Sequence, residues 1–163
     1  MAAPAAAAAS APPPPRALDA AAAAAAAPLA SLLTVVLNTS PCYSHPSTRL
    51  LEETVASFAL APGLPACRLL VVADGCKLAA ATRVKKGAVT AEVADGYRRY
   101  LARVAHLTRQ PASVLRGAEL LALDEHHGCA HALRRGLARV RTPFVIVVQH
   151  GAPRAARAAR DAR

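Results

Sequence analysis

Three polar groups in this sequence stand directly after apolar runs, and their residue types could do chemistry. Asn38-Thr39-Ser40 follows LLTVVL, Asp74-Gly75 follows LLVVA, and Gln149-His150-Gly151 follows PFVIVV. An aspartate in such a place can accept a hydrogen bond from an imide N–H, such as that of a uracil ring. The alternative is a turn aspartate before glycine, which is a common pairing. The position of Asp74 alone leaves both interpretations open.

The histidines and the loop after the first apolar run give weaker evidence for a chemical site. His127 and His131 are one helical turn apart, and His126 and His150 are near in sequence. A zinc site needs a third or fourth ligand and normally an acid or cysteine nearby, so this spacing favours solvent-facing or hydrogen-bonded histidines. The segment NTSPCYS contains neither G-x-G-x-x-G nor G-x-x-x-x-G-K, which argues against a standard dinucleotide or P-loop site. No Ser-His-Asp arrangement can be assembled.

The elements that must position these groups alternate along the chain. Short apolar runs predict strands at Leu32–Leu37, Leu69–Val72, Glu119–Leu123 and Pro143–Val148. Helical spacing predicts a helix that begins at Pro46, one capped by Thr90, and one over Gly128–Val140. The order β-α-β-α-β-α-β predicts an α/β fold of three layers, with a mostly parallel sheet of about four strands. Ligands bind such sheets at the carboxyl ends of the strands.

The two ends of the chain differ in composition from its middle. Residues 1–30 are nearly all Ala and Pro, and residues 152–163 are rich in Ala and Arg. We expect the leader to be disordered or weakly helical and the tail to be mobile, because neither can bury enough apolar area to offset ordering entropy. The domain is therefore predicted over residues 31–151. Ala20–Leu37 carries no charge, but half of it is alanine, so a membrane anchor is not expected.

The formal net charge of +10 raises the question of nucleic acid. The cations are scattered, no dense basic stripe is present, and aromatic residues for base stacking are few (Tyr 3, Phe 2, Trp 0). A solvated basic surface is the preferred interpretation, and no nucleic-acid partner is expected. The four cysteines show no CxxC pairing, which favours free thiols in a reducing compartment such as the cytoplasm. Organelle or Golgi targeting stays open as an alternative.

The stretch Gly128–Gly151 resembles, without a gap, the nucleotide-diphospho-sugar transferases of glycosyltransferase family 2, which have the GT-A fold. That family often carries G-x-x-x-A-R-N-x-G, an apolar strand and then D-x-D. Gly128, Ala132 and Gly136 stand in the pattern positions, Leu133-Arg134 replaces Arg-Asn, and PFVIVV follows at the family's distance.

The upstream half is similar to the same family. LLTVVLNTS resembles its opening strand, with Asn38 in place of the usual proline. LLVVADGC resembles V-D-D-G-S, with Asp74 as the second acid and Ala73 in place of the first. The resemblance covers about residues 32–151. It implies a nucleotide-sugar donor across the strand ends, bound by Thr39, Ser40, Asp74, Gly75 and Arg134, with the base near Thr39 and Asp74.

The resemblance also implies a divalent cation, Mn²⁺ or Mg²⁺, held by D-x-D against the diphosphate. In this sequence Gln149 and Gly151 stand at the two acid positions, with His150 between them. No metal ligand is therefore predicted there. The family also continues well past D-x-D, whereas twelve residues follow Gly151 here. We expect a donor-binding half-domain that is truncated or inactive as this chain. The alternative is a non-catalytic nucleotide-binding or interaction module, and a basic nucleic-acid-binding protein is a distant third.

Overall fold

A computed structural model describes residues 28–78 and 89–149 of the chain. Residues 28–32 are helical, so residues 28–30 of the predicted leader are ordered as helix. The rest of the predicted leader, the predicted tail, and His150 and Gly151 lie outside the described residues. The strands are β1 (Leu33–Thr39), β2 (Arg68–Ala73), β3 (Glu119–Ala122) and β4 (Phe144–Gln149). The helices are α1 (Arg49–Ala56), α2 (Ala91–Leu107) and α3 (Cys129–Leu137), with 3₁₀ turns at Ser57–Leu60 and Leu64–Ala66.

The four strands form one parallel sheet in the order β3-β2-β1-β4. The chain crosses from β1 to β2 through α1 and from β2 to β3 through α2. It then returns through α3 to the other side of β1, where it forms β4. The prediction of an α/β fold with a parallel sheet of four strands is confirmed.

The two faces of the sheet are covered by different helices. On one face α1 and α2 pack on Val35 and Leu37, and on the other α3 packs on Val36. Successive side chains of a strand point to opposite faces, so the run of β1 is apolar throughout because both of its faces are buried. This arrangement gives the three predicted layers.

Helix α3 lies close against the sheet. It contacts the sheet through Ala132, which is buried, and Gly136. A methyl group on Gly136 would overlap Val72 Cγ2, so the glycine is what allows this close approach. The spacing of Ala132 and Gly136, which carried part of the family resemblance, thus has a packing role in this chain.

The helix starts differ in how well the sequence predicts them. Thr90 accepts a hydrogen bond from the Val93 amide at 3.3 Å, so the predicted cap of α2 is confirmed. The prediction that Pro46 is the first residue of a helix is wrong. α1 begins at Arg49, because Pro46 belongs to a turn over residues 43–46 in which the His45 amide donates to the Cys42 carbonyl. No helix among the described residues is long and apolar enough to span a bilayer.

β4 lies at the edge of the sheet and is exposed. Phe144, Val145, Ile146 and Val147 have 64, 39, 41 and 46 % of their surface exposed. Its sequence is as apolar as that of β1, yet among the described residues only β1 pairs with it. The strand therefore presents both an open backbone edge and apolar side chains.

Candidate functional site

The carboxyl ends of β1, β2 and β4 bring Asn38-Thr39-Ser40, Asp74-Gly75 and Gln149 to one edge of the sheet. Thr39 pairs with Ala73 in β2, and Asn38 pairs with Gln149 in β4. The strand order reverses between β1 and β4, because the chain leaves β1 on one side and returns to it on the other. In doubly wound sheets ligands bind in the crevice at this reversal.

Asp74 is buried, with 1 % of its surface exposed, and its carboxylate is fully engaged in holding the start of α3. The backbone amides of His127 and Gly128 each donate to it at 2.9 Å, and His126 Nδ1 lies 2.9 Å from Oδ2. A carboxylate that accepts amide protons at a helix start is also favoured by the helix dipole. Asp74 is thus more than a turn residue, because its carboxylate joins β2 to α3. Its predicted contact with a nucleotide base stays a prediction.

Gly75 packs against the same segment. A Cβ at this position would overlap the backbone of Glu125, so only glycine lets β2 end this close to the loop that leads into α3. The Asp-Gly pair is therefore explained by the docking of α3. A nucleotide contact by the Gly75 backbone stays a prediction as well.

Thr39 and Ser40 differ in accessibility although they are adjacent. Thr39 is buried, its carbonyl accepts from the Asp74 amide at 3.0 Å, and its Oγ1 lies 3.3 Å from the Tyr100 hydroxyl. Ser40 is exposed at the rim, and its carbonyl lies 3.1 Å from His45 Nε2. Of the two residues predicted to bind nucleotide at this strand end, Ser40 is the one whose side chain a ligand can reach.

His45 anchors the loop after β1, a role that the sequence did not indicate. Its ring centroid lies 3.9 Å from that of Tyr100 and 5.1 Å from that of Tyr97. Gly96 allows this packing, since a Cβ there would lie 3.1 Å from the His45 carbonyl oxygen. His45 Nε2 also lies 3.2 Å from the sulfur of Cys42. The loop above the crevice is therefore held on two aromatic rings of α2.

The two tyrosines are buried and hydrogen-bonded. Tyr97 donates to the Asp74 carbonyl at 2.8 Å, and burial raises its pKa far above the ordinary value. Burial also raises the pKa of Tyr100, to about 12, although the hydrogen bond with Thr39 opposes the change. Both residues lie on the buried face of α2. Their hydroxyl groups were the signal available in the sequence that this face reaches the polar strand ends.

Three residues that sequence reasoning did not group together meet between β1 and β4. The first residue of α3, Cys129, is exposed, and Asn38 Nδ2 donates to its sulfur at 3.1 Å. Gln149 Nε2 lies 3.6 Å from the same sulfur. Asn38 is 6 % exposed, and its Oδ1 is buried with no hydrogen-bond partner among the described residues. The amino end of α3 therefore opens onto the crevice.

Arg134 is placed apart from this cluster. It is exposed on the side of α3 opposite Ala132 and Gly136, where the helix contacts the sheet. It lines a shallow cavity of about 540 Å³ on the outer surface; the other lining residues are His126, His127, His131, Arg135 and Ala138. The structure thus brings Thr39, Ser40, Asp74 and Gly75 together at the strand ends, and Arg134 lies on a neighbouring basic surface.

Gln149 ends β4 where the family resemblance would place the first metal-binding acid. Its amide nitrogen points to Cys129, and the other two positions of the degenerate D-x-D fall outside the described residues. Residues 28–78 and 89–149 contain no group of three or more His, Cys, Asp or Glu side chains that could hold a metal ion.

No protein-family model, no curated protein and no solved structure matches this chain.

Proposed function

We propose that this chain is a nucleotide-binding α/β domain of the glycosyltransferase family 2 type, which binds a nucleotide-sugar or its nucleotide without transferring the sugar. The observation that carries the proposal is the strand order β3-β2-β1-β4 with polar residues at the reversal between β1 and β4. This is the order of the first four strands in doubly wound nucleotide-binding sheets.

The start of α3 supports a phosphate-binding role for the crevice. Cys129, its first residue, touches side chains from the ends of both β1 and β4, so the helix begins beside the reversal. The preceding residue, Gly128, has no side chain that could cap the helix. The Asp74 carboxylate accepts from the amides of His127 and Gly128, which precede the helix, so the amides of the first turn of α3 are the donors left for an anionic group such as a diphosphate.

The residues that would hold the family's divalent cation do not fit Mn²⁺ or Mg²⁺. These ions prefer carboxylate oxygen ligands. Gln149 is neutral and turns its amide nitrogen to Cys129, and Gly151 has no side chain. We therefore assign no step to a metal ion and expect nucleotide binding that does not respond to manganese.

A second candidate function is that of a non-catalytic interaction module. The exposed apolar strand β4 favours it, because an open edge with apolar side chains is a surface on which another strand can pair. The two functions are compatible in one chain, because they use different parts of β4. Gln149 at the end of the strand faces the crevice, and the outer edge of the strand is open along its length.

Calorimetric titration with uridine diphosphate and a uridine diphosphate-sugar, each with and without Mn²⁺, tests the proposal. We expect saturable binding of both, no effect of the metal and no release of free sugar. Sugar transfer or hydrolysis would contradict the non-catalytic part. Absence of binding to both would contradict the proposal as a whole and leave the interaction module.

A variant with a bulky side chain tests where the nucleotide binds. Ser40→Trp puts a bulky side chain at the exposed rim of the crevice, so we expect it to weaken nucleotide binding by at least about tenfold, or 1.4 kcal/mol. Ser31→Trp is the matched control, because Ser31 is also exposed but precedes the opposite end of β1. Equal affinities in the two variants would place the nucleotide elsewhere.

A further inference from the structure

The cavity on the outer surface of α3 is lined almost entirely by basic side chains, and we refer to it as the basic cavity. Its volume is about 540 Å³. It is lined by His126, His127, His131, Arg134, Arg135 and Ala138. Among the described residues no carboxylate lines it. Residues 126–149 contain three histidines and four arginines but neither Asp nor Glu, so the basic character extends along this part of the chain.

Two arginines supply the permanent charge of the basic cavity. Arg134 and Arg135 follow His131 by three and four residues, so the three side chains are neighbours on the surface of α3. Neither guanidinium forms an ion pair or a side-chain hydrogen bond with residues 28–78 or 89–149. Each guanidinium has five N–H donors in a planar fork that matches the oxygens of a phosphate. These donors are therefore available to a ligand.

The opposite wall of the basic cavity is held in place by a buried residue. His126 Nδ1 lies 2.9 Å from Oδ2 of Asp74, whose surface is 1 % exposed. The same carboxylate already accepts from the amides of His127 and Gly128. The half-exposed imidazole of His126, and not the carboxylate, lines the cavity. The nearest acid is thus engaged inside the fold and fixes a donor on the surface.

Two simpler explanations do not account for this arrangement. The histidines do not form a metal site, because no group of three His, Cys, Asp or Glu side chains in the described part of the chain could hold a metal ion. Arginines in the last turn of α3 are favoured by the helix dipole. That effect explains neither His126 and His127 before the helix nor His131 in its first turn. A cavity lined by one sign of charge attracts counter-ions, which suggests an anionic ligand.

We propose that the basic cavity binds the phosphate group of a small phosphomonoester. A phosphate can accept charge-assisted hydrogen bonds from both guanidiniums and further ones from the imidazole N–H groups. The volume is within the range usual for small-molecule sites, so the organic part of the ligand has room beside the phosphate. The basic cavity shares no lining residue with the crevice between β1 and β4, so the inference does not depend on the proposed function.

Titration with glycerol phosphate and with inorganic phosphate at constant ionic strength tests the proposal. Histidine ring signals of the full chain are followed by NMR spectroscopy, and His106, which is exposed on α2, is the internal reference. We expect saturable shifts of the His127 and His131 signals and tighter binding of glycerol phosphate. Shifts of the His106 signal alone, or no saturable shift with either compound, would overturn the site. Equal affinities would overturn the assignment to a phosphomonoester.

Two matched double variants separate a specific site from the effect of net charge. Arg134→Gln/Arg135→Gln removes the guanidiniums of the basic cavity, and Arg98→Gln/Arg99→Gln removes an adjacent exposed pair on α2. We expect the first variant to bind glycerol phosphate at least roughly tenfold more weakly, and the second to change the affinity by less than about twofold. Equal weakening in both variants would mean that only net charge matters and would overturn the proposal.

Ser40→Trp distinguishes the basic cavity from the crevice. Ser40 lies at the rim of the crevice and does not line the basic cavity, so we expect the affinity for glycerol phosphate to stay unchanged in this variant. Loss of binding in Ser40→Trp, with retained binding in Arg134→Gln/Arg135→Gln, would place the phosphate in the crevice and overturn the proposal.

Discussion

The Gly128 amide donates to the carboxylate of Asp74 at 2.9 Å, and this bond joins the end of β2 to the start of α3 across 54 residues of sequence. It sets the position of the helix that opens onto the crevice between β1 and β4. The same carboxylate accepts from His127, so the orientation of α3 depends on one buried charge with two backbone donors.

We expect Asp74→Asn to destabilise the protein by about 2–4 kcal/mol, because the new NH₂ group would face a backbone N–H and a charge-assisted bond would be lost. Denaturant unfolding measures this change. Asp95→Asn is the control, since Asp95 is exposed on α2 beside Arg98, and its replacement should cost less than about 0.5 kcal/mol. Equal costs would mean that Asp74 does not hold α3.

Gly136→Ala should destabilise the fold although alanine is the better helix former by about 1 kcal/mol. The added methyl overlaps Val72, which is fully buried, so we expect a net loss of about 1–3 kcal/mol. The double variant Gly136→Ala/Val72→Ala provides the check, because removing the Val72 methyls gives the new side chain room. If the cost of Gly136→Ala is the same in both backgrounds, close packing of α3 is not its cause.

Stability should decrease at alkaline pH because burial raises the pKa of both Tyr97 and Tyr100 in the folded protein. For Tyr100 the pKa is raised to about 12 from an ordinary 10, so the folded state retains a proton that the unfolded state loses. This contribution is present below pH 10 and disappears as the pH rises towards 12. We expect Tyr100→Phe to make the fall in the free energy of unfolding less steep, and the part that Tyr97 contributes to remain. Tyr43→Phe, at a side chain that is 73 % exposed, should retain the full slope.

The open edge of β4 should cause self-association. Ile146 is 41 % exposed on an unpaired edge of the described sheet, so pairing between chains would cover apolar surface and satisfy backbone groups. We expect concentration-dependent association in sedimentation experiments and a marked decrease in Ile146→Lys. Leu60→Lys, at an exposed leucine in a 3₁₀ turn, is the control and should associate like the parent. A parent chain that stays monomeric would contradict the expectation.

The local sequence determined the elements of this fold. Short apolar runs that end in polar residues were sufficient to predict the four strands. In β1 the run is continuous because both faces of the strand are buried, whereas the equally apolar run of β4 is exposed. The helix cap at Thr90 could also be predicted, because it depends on residues three positions apart. The alternation of strands and helices then restricted the sheet to parallel pairing.

Only the tertiary structure decided what the polar residues contact. Asp74 looked like a turn or ligand residue, and its partners proved to be amides more than fifty positions away. Asn38 and Cys129 are 91 residues apart and meet because α3 carries the chain back across the sheet to β4. The exposure of β4 could not be predicted from the sequence either, because it too depends on the tertiary arrangement. The residues of a strand determine its apolar pattern and its length. Its place at the centre or the edge of the sheet depends on how the crossover helices pack.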